Sequence, residues 1–232
     1  MSIWLTRPQR DSERMEAALA ARGIESVVAP VMNISSCPVI LADPAPSALI
    51  LTSRRAAKAL TAAPASWRHL PVYCVGAATA QAASRYHFHH TVSGEGSALD
   101  LLPLIAARHV AGDRLLHLSG DAVKVDLAPL LASRGITLDR VVVYVSQRAE
   151  TLPPDFTHAV HVGALNGVVF YSPRSVRFAQ EMAGDILTTL DAYCLSLDIA
   201  AEAAKAGCKR VHACPVPTHQ AMMELLFQHA MT

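Results

Sequence analysis

Short apolar runs alternate with Ala-rich stretches of helical period along most of the chain. The run at 3–6 precedes a helical stretch at 9–22, and 25–31 reads as the next strand. Further strands are predicted at 48–52, 71–75, 114–118, 138–145, 167–171, 191–195 and 209–213. Helices are predicted at 54–63, 77–85 and 123–134, and after each of the last three runs. Such runs are apolar on both faces, the pattern of a parallel sheet covered by helices on both sides. Gly23 and Gly135, each within Arg-Gly-Ile, read as helix C-terminal glycines that feed a strand.

The pattern repeats. Leu-Thr-Ser-Arg-Arg-Ala-Ala at 51–57 returns as Phe-Tyr-Ser-Pro-Arg-Ser-Val at 170–176, each opening a helix after an apolar run. Residues 72–80 return at 192–200, and 18–30 resembles 130–144. One complete set lies within about 48–143, whereas the other is completed only by joining 166–232 to 1–33. The fold class is therefore α/β, with two similar flavodoxin-like parallel-sheet domains, one inserted into the other and joined by two crossing linkers. The outer domain is predicted at 1–35 plus 150–232, and the inserted one at 36–149 with linker strands at its ends. The Pro-containing polar stretches near 34–46 and 144–152 read as the linkers.

Composition narrows the function. Of 232 residues, 52% are apolar and 17% charged, enough for substantial cores. A formal charge of +1 without a Lys/Arg block argues against nucleic-acid binding. No stretch of about 18 uncharged apolar residues is present to span a membrane. The N-terminal stretch lacks an apolar signal core, and the five cysteines form no CxxC pair. A cytoplasmic protein with reduced thiols is expected. Gly94-Glu95-Gly96-Ser97-Ala98-Leu99 has Leu99 where a dinucleotide fingerprint needs its third glycine, and no phosphate-binding P-loop occurs. The stretch 87–90, His-Phe-His-His, has no Cys or acidic ligands nearby and reads as surface histidines at a helix end, not a metal site.

In open parallel sheets, ligands bind beyond the carboxyl ends of the strands. The loops there contain Arg7, Ser53, Arg55, Thr79, Gly94, Ser172 and Thr218, together with Ser119-Gly120-Asp121. Helix N-termini in these loops suit carboxylates or phosphates, although Ser53, Thr79, Ser172 and Thr218 serve equally as N-caps. Tyr144 is expected to end the strand run at 140–144 where the chain crosses between domains. It either overlooks an interdomain cleft or packs half-buried.

Taken together, Leu-Thr-Arg-Pro at 5–8, the turns at 51–56 and 72–80, Val-Ser-Gly-Glu-Gly at 92–96, 115–121, 140–144, 170–175 and Pro-Val-Pro-Thr at 215–218 resemble uroporphyrinogen-III synthases over essentially the whole chain. The resemblance implies closure of hydroxymethylbilane into uroporphyrinogen III, with loss of water and inversion of the last pyrrole ring, without cofactor or metal. It implies a small-molecule enzyme, expected to be monomeric. Tyr144 is then the candidate proton donor to the leaving hydroxyl, because a phenol keeps its proton at neutral pH. Arg55, Thr79 and Ser172 match family positions implicated in binding or support, and Arg7, Ser53, Gly94 and Thr218 join them as candidate substrate contacts. The chain departs from the family at Ser196-Leu197-Asp198-Ile199, where Ile199 replaces the usual second threonine. Two other readings are a noncatalytic two-domain binding protein and a different transferase or lyase for a small anion.

Overall fold

The computed structural model describes residues 2–230, without the side chain of Ala230. The ends of the predicted outer domain, Met1 and residues 231–232, lie outside the described residues. Two compact units emerge, one formed by the chain up to Asn33 and from Gln147 onward, the other by Ile34–Ser146.

The outer unit contains β1 (Ser2–Leu5), α1 (Gln9–Ala20) and β2 (Glu25–Val28). The chain then runs through β3 (Met32–Ser36) into the inserted unit. There follow β4 (Ala48–Leu51), β5 (Val72–Cys74), α2 (Ala77–Ser84), β6 (Thr91–Ser93), α3 (Leu101–Ala106), β7 (Arg114–Gly120), α4 (Ala128–Ala132) and β8 (Thr137–Arg148). Back in the outer unit come α5 (Pro154–His161), β9 (Leu165–Phe170), α6 (Pro173–Leu187), β10 (Asp191–Cys194), α7 (Leu197–Lys205), β11 (Arg210–Ala213) and α8 (His219–Ala230).

Among the described residues the outer sheet has the order β11-β10-β9-β1-β2, and the other β3-β8-β7-β4-β5-β6. The pairings within the outer sheet, and those from β6 across to β8, are parallel. Counted along the chain, the outer order is 2-1-3-4-5, that of flavodoxin-like sheets. The inserted unit, counted from β4, reads 3-2-1-4-5, and so does the outer unit if counting starts at β9. The two sheets are therefore circular permutations of one arrangement, which is why the sequence repeat is complete only when the chain's two ends are joined.

Each sheet is buried on both faces because its central strands are apolar at successive positions. Trp4, Val168 and Phe170 pack on one face of the outer sheet, and Ile3, Leu5 and Val169 on the other. Leu49 and Leu51 oppose Ala48 and Ile50 in the same way. Gly23 and Gly135 adopt φ of +72° and +74°. Gly23 and Ile24 donate their N–H groups to the carbonyls of Ala20 and Leu19, and Gly135 and Ile136 repeat the pattern with Ala132 and Leu131. This satisfies the last carbonyls of α1 and α4 and turns the chain into the next strand.

Several predicted elements change. The segment after β4 is a 3-10 helix, Arg54–Ala62, closed when Ala63 becomes extended ahead of Pro64. The helix predicted at 123–134 shrinks to α4, preceded by a turn in which Asp126 accepts the Ala128 N–H. The stretches read as linkers begin as sheet: β3 lies beside β8, and β8 continues to Arg148. Tyr144 is thus not a strand end, because β3 supplies β8 with a neighbour beyond that point.

Candidate active site

Both sheets reverse their winding next to a central strand, between β4 and β7 in the inserted unit and between β9 and β1 in the outer one. The carboxyl ends beside such a switch are where open α/β sheets hold ligands.

In the inserted unit that edge is built around Tyr144. Ser119 pairs with Val142 but Gly120 pairs with Tyr144, so Val143 is an extra residue in β8. A bulge of this kind re-aims the following side chain. The half-buried Tyr144 ring lies so close over Gly120 that a Cβ there would stand 2.6 Å from its Cζ and 2.8 Å from its hydroxyl. Only glycine leaves that space. Arg140 secures the loop beneath, donating from Nε to Ser119 Oγ at 2.8 Å and from Nη2 to the carbonyls of Gly120 and Asp121 at 2.6 and 2.9 Å. Asp121 donates its N–H to the Tyr144 carbonyl, and its carboxylate accepts the Ser146 N–H. Thr52, just past β4, places Oγ1 2.9 Å from Nε2 of His117, which is 2% exposed. Burial, assisted by the Arg140 charge, pulls the His117 pKa down to about 4, so the ring is neutral at physiological pH.

Ser53 caps the 3-10 helix, its side chain accepting the Arg55 N–H at 3.2 Å. Arg55 is exposed and, with Lys58, Cys37 and Val143, lines a cavity of about 190 Å³. Thr79 is not the cap of α2. That position belongs to Gly76, while Thr79 donates its backbone N–H to the Gly76 carbonyl and buries its side chain, at 4% exposure. It faces inward because it occupies the third helical position, one turn beyond the cap. Gly94 donates its N–H to the Cys74 carbonyl, and a Cβ there would meet Leu101 at 3.1 Å. The loop after β6 is therefore drawn against the end of β5.

In the outer unit Ser172 closes a capping box with Ser175 at the start of α6, and Thr218 accepts the Ala221 N–H at the start of α8. Arg7 leaves the end of β1, where Thr6 Oγ1 donates to the Val169 carbonyl at 2.6 Å. The Arg7 guanidinium lies 4.0 Å over the ring of Tyr171 and 3.4 Å from the Asp11 carboxylate. Tyr171 in turn places its hydroxyl 2.6 Å from His219 Nδ1. Burial pushes the Tyr171 phenol up to about 12, against the opposing charge of Arg7. At the α7 N-terminus Ile199 is 4% exposed and packs in the core, and Asp198 sits exposed in the first turn. An apolar side chain thus fills the inward position at this helix start, and an exposed carboxylate neighbours it.

The candidate residues therefore divide: Ser53, Arg55, Thr79, Gly94 and Tyr144 belong to the inserted unit, and Arg7, Ser172 and Thr218 to the outer one. Sequence reasoning passed over His117, Arg140 and His219. One signal pointed toward the two histidines, since Thr52 and Tyr171, which contact them, hold the same place in the repeated turn and both carry hydroxyls. Elsewhere, a cavity of about 670 Å³ in the outer unit is lined by Glu16, Glu150 and Asp155, which would repel an anion. Among the described residues no group of three or more His, Cys, Asp or Glu side chains is placed to hold a metal, and no helix is long and apolar enough to cross a membrane.

No curated protein matches the sequence at a significant level. Among solved structures, uroporphyrinogen-III synthetase from Helicobacter pylori matches with TM-score 0.67 and 17% identity, covering 98% of each chain. A mutant uroporphyrinogen III synthase from Thermus thermophilus matches with TM-score 0.57 and 18% identity, covering 100% of this chain and 98% of that one. At these identities the likeness establishes the two-domain α/β fold. The sequence profile described as uroporphyrinogen-III synthase HemD matches residues 13–224, which take in most of both units. This chain belongs to the uroporphyrinogen-III synthase family.

Proposed function

We propose that the protein is a uroporphyrinogen-III synthase, a cyclising lyase of tetrapyrrole biosynthesis that converts hydroxymethylbilane to uroporphyrinogen III with loss of water and inversion of ring D. The observation that carries this reading is the family match across residues 13–224. The site geometry supports it. The bilane bears an acetate and a propionate on each pyrrole, and the carboxyl edges of both sheets offer helix N-termini to such groups. Ser53, Ser172 and Thr218 each accept a backbone N–H there and so mark helix starts whose positive dipole ends suit an anion. Arg7 and Arg55 add positive charge, while Thr79 and Gly94 shape the α2 end of the inserted sheet.

Tyr144 is the proton donor in this reading. Its phenolic proton moves to the hydroxymethyl oxygen as the C–O bond breaks, releasing water. The substituted α-carbon of ring D then attacks the methylene carbon that lost water. In the spiro product the bond from that α-carbon to its original bridge breaks and re-forms at the free α-carbon of ring D, whose proton returns to the Tyr144 phenolate, so the ring is inverted. The residues derived above hold the substrate and the proton, so no metal or cofactor is invoked. We further read the protein as a cytoplasmic monomer. Its five cysteines are free thiols, the state a reducing compartment maintains.

The test is incubation of the purified chain with hydroxymethylbilane, followed by chromatographic separation of the porphyrinogen isomers. Excess type III isomer over the spontaneous type I product is the expected result. A protein that binds the bilane without turning it over leaves only type I.

A further inference from the structure

The edge of the outer sheet holds a side-chain cluster that duplication does not account for. In the inserted unit, Thr52 takes its histidine partner from the adjacent strand β7. Its counterpart Tyr171 instead reaches His219, the first residue of α8, at 2.6 Å from Nδ1. Arg7 covers the tyrosine ring at 4.0 Å, and His219 itself is exposed.

We propose that Tyr171 and His219 form a carboxylate-docking pair for the polyanionic substrate, in which the phenol donates to Nδ1 and the Nε2–H group donates to a substrate carboxylate. This rests on the synthase reading and adds to it a side-chain contact from residues 171 and 219. A neutral imidazole that accepts at Nδ1 must carry its proton on Nε2, so the phenol selects the tautomer with an outward donor. Burial raises the phenol pKa to about 12, and partial desolvation of the otherwise exposed His219 ring, with the Arg7 charge, lowers that of His219. Both groups therefore stay neutral near pH 7, and the hydrogen bond persists without proton transfer. Arg7 contributes positive charge behind the pair, offset in part by Asp11 at 3.4 Å. The Thr218-capped end of α8 points the positive end of its dipole the same way. A ring held at one nitrogen loses little freedom when its other nitrogen binds, which favours its use as a docking group.

Steady-state kinetics on the full chain test the pair. His219→Asn keeps an amide near the Nδ1 position, as a partner for Tyr171, and removes the donor at Nε2; His219→Gln reaches the Nε2 position. Loss of one hydrogen bond to a charged group should raise KM about tenfold in His219→Asn. His219→Gln should recover much of this, and kcat and isomer ratio should change far less, the mark of lost ground-state binding. A wild-type KM in His219→Asn, in a chain that melts normally, overturns the proposal. Tyr171→Phe gives a second measurement: the ¹⁵N signals of the His219 ring should shift from one tautomer to a mixture, and an unchanged spectrum overturns the positioning role. If the wild-type chain makes no type III isomer, the synthase reading fails and the pair is judged by binding alone. Fluorescence titration with uroporphyrin III, an octacarboxylate, then serves as the probe. Binding about tenfold weaker in His219→Asn supports the docking pair; equal or absent binding overturns it.

Discussion

Tyr144 and Gly120 act as one unit, because the tyrosine ring occupies the space that any side chain at residue 120 would need. General-acid assistance is typically worth 10²–10⁴-fold. Tyr144→Phe is therefore expected to lower kcat by about that range while the thermal melt stays near wild type. The bilane then closes unassisted, so the type I isomer accumulates. Gly120→Ala should push the ring aside and also lower kcat. Two changes acting on one group are not additive, so the double variant should be little worse than Tyr144→Phe alone. Initial rates and isomer ratios for the three variants check this. Near-wild-type turnover in a folded Tyr144→Phe chain would reduce Tyr144 to a packing residue.

The helices and strands that carry the site have their own testable stability. Gly23 and Gly135 end α1 and α4 with φ of +72° and +74°, yet their surroundings differ. A Cβ at Gly23 meets nothing within 4 Å, whereas one at Gly135 stands 2.7 Å from the Ala111 Cβ. Gly23→Ala should then cost only backbone strain, about 1 kcal/mol, and Gly135→Ala distinctly more, as read by denaturant unfolding. Strand β7 carries the pH term. His117 has its pKa depressed from 6.5 to about 4 by burial, so on acidification the unfolded chain takes up this proton before the folded one does. Its contribution is intact above pH 6.5 and declines as pH falls toward 4, by roughly 3 kcal/mol at most. Replacing His117 by Leu, the residue type at the matching position 5 of β1, should flatten the stability profile across that window. An unchanged slope in the variant would mean that His117 is not a source of the acid sensitivity.

Each unit has its own sheet and its own two buried faces, and this bears on folding as well as activity. Residues 32–148, which contain the inserted sheet with both β3 and β8, should fold alone with a cooperative melt. The Ala149 N–H donates to the Val31 carbonyl at 2.9 Å, so the outer chain leaves and returns side by side. A short Gly-rich linker across that gap should let the outer unit fold without its insert. Neither piece should make type III isomer, because the proposed proton donor lies in one and Arg7, Ser172 and Thr218 in the other. Circular dichroism melts and the isomer assay on each piece check the prediction. A molten inserted piece would mean that its core depends on the rest of the chain.

What could be read directly from the chain was local in origin. Strand and helix periods, the Arg-Gly-Ile helix ends and the Ser53, Ser172 and Thr218 caps depend on neighbours within a few positions, so the α/β class and the doubled sheet were legible. The crossing of the chain between domains singled out Tyr144, and family resemblance then supplied the reaction and its role as proton donor. Tertiary structure decided what depends on partners distant in sequence. The Val143 bulge arises only where β8 meets β7, and it aims Tyr144 over Gly120. β8 runs on to Arg148 beside β3, which local polarity and proline content had suggested was a linker. Thr79 is turned inward by the seating of α2, although its hydroxyl suited a cap equally well. The contacts of Tyr171 with His219 and of Thr52 with His117 join residues from separate elements. Hydrophobic period specifies which face of a strand is buried; strand order and register, set by packing of the whole sheet, determine which polar groups meet at its edge.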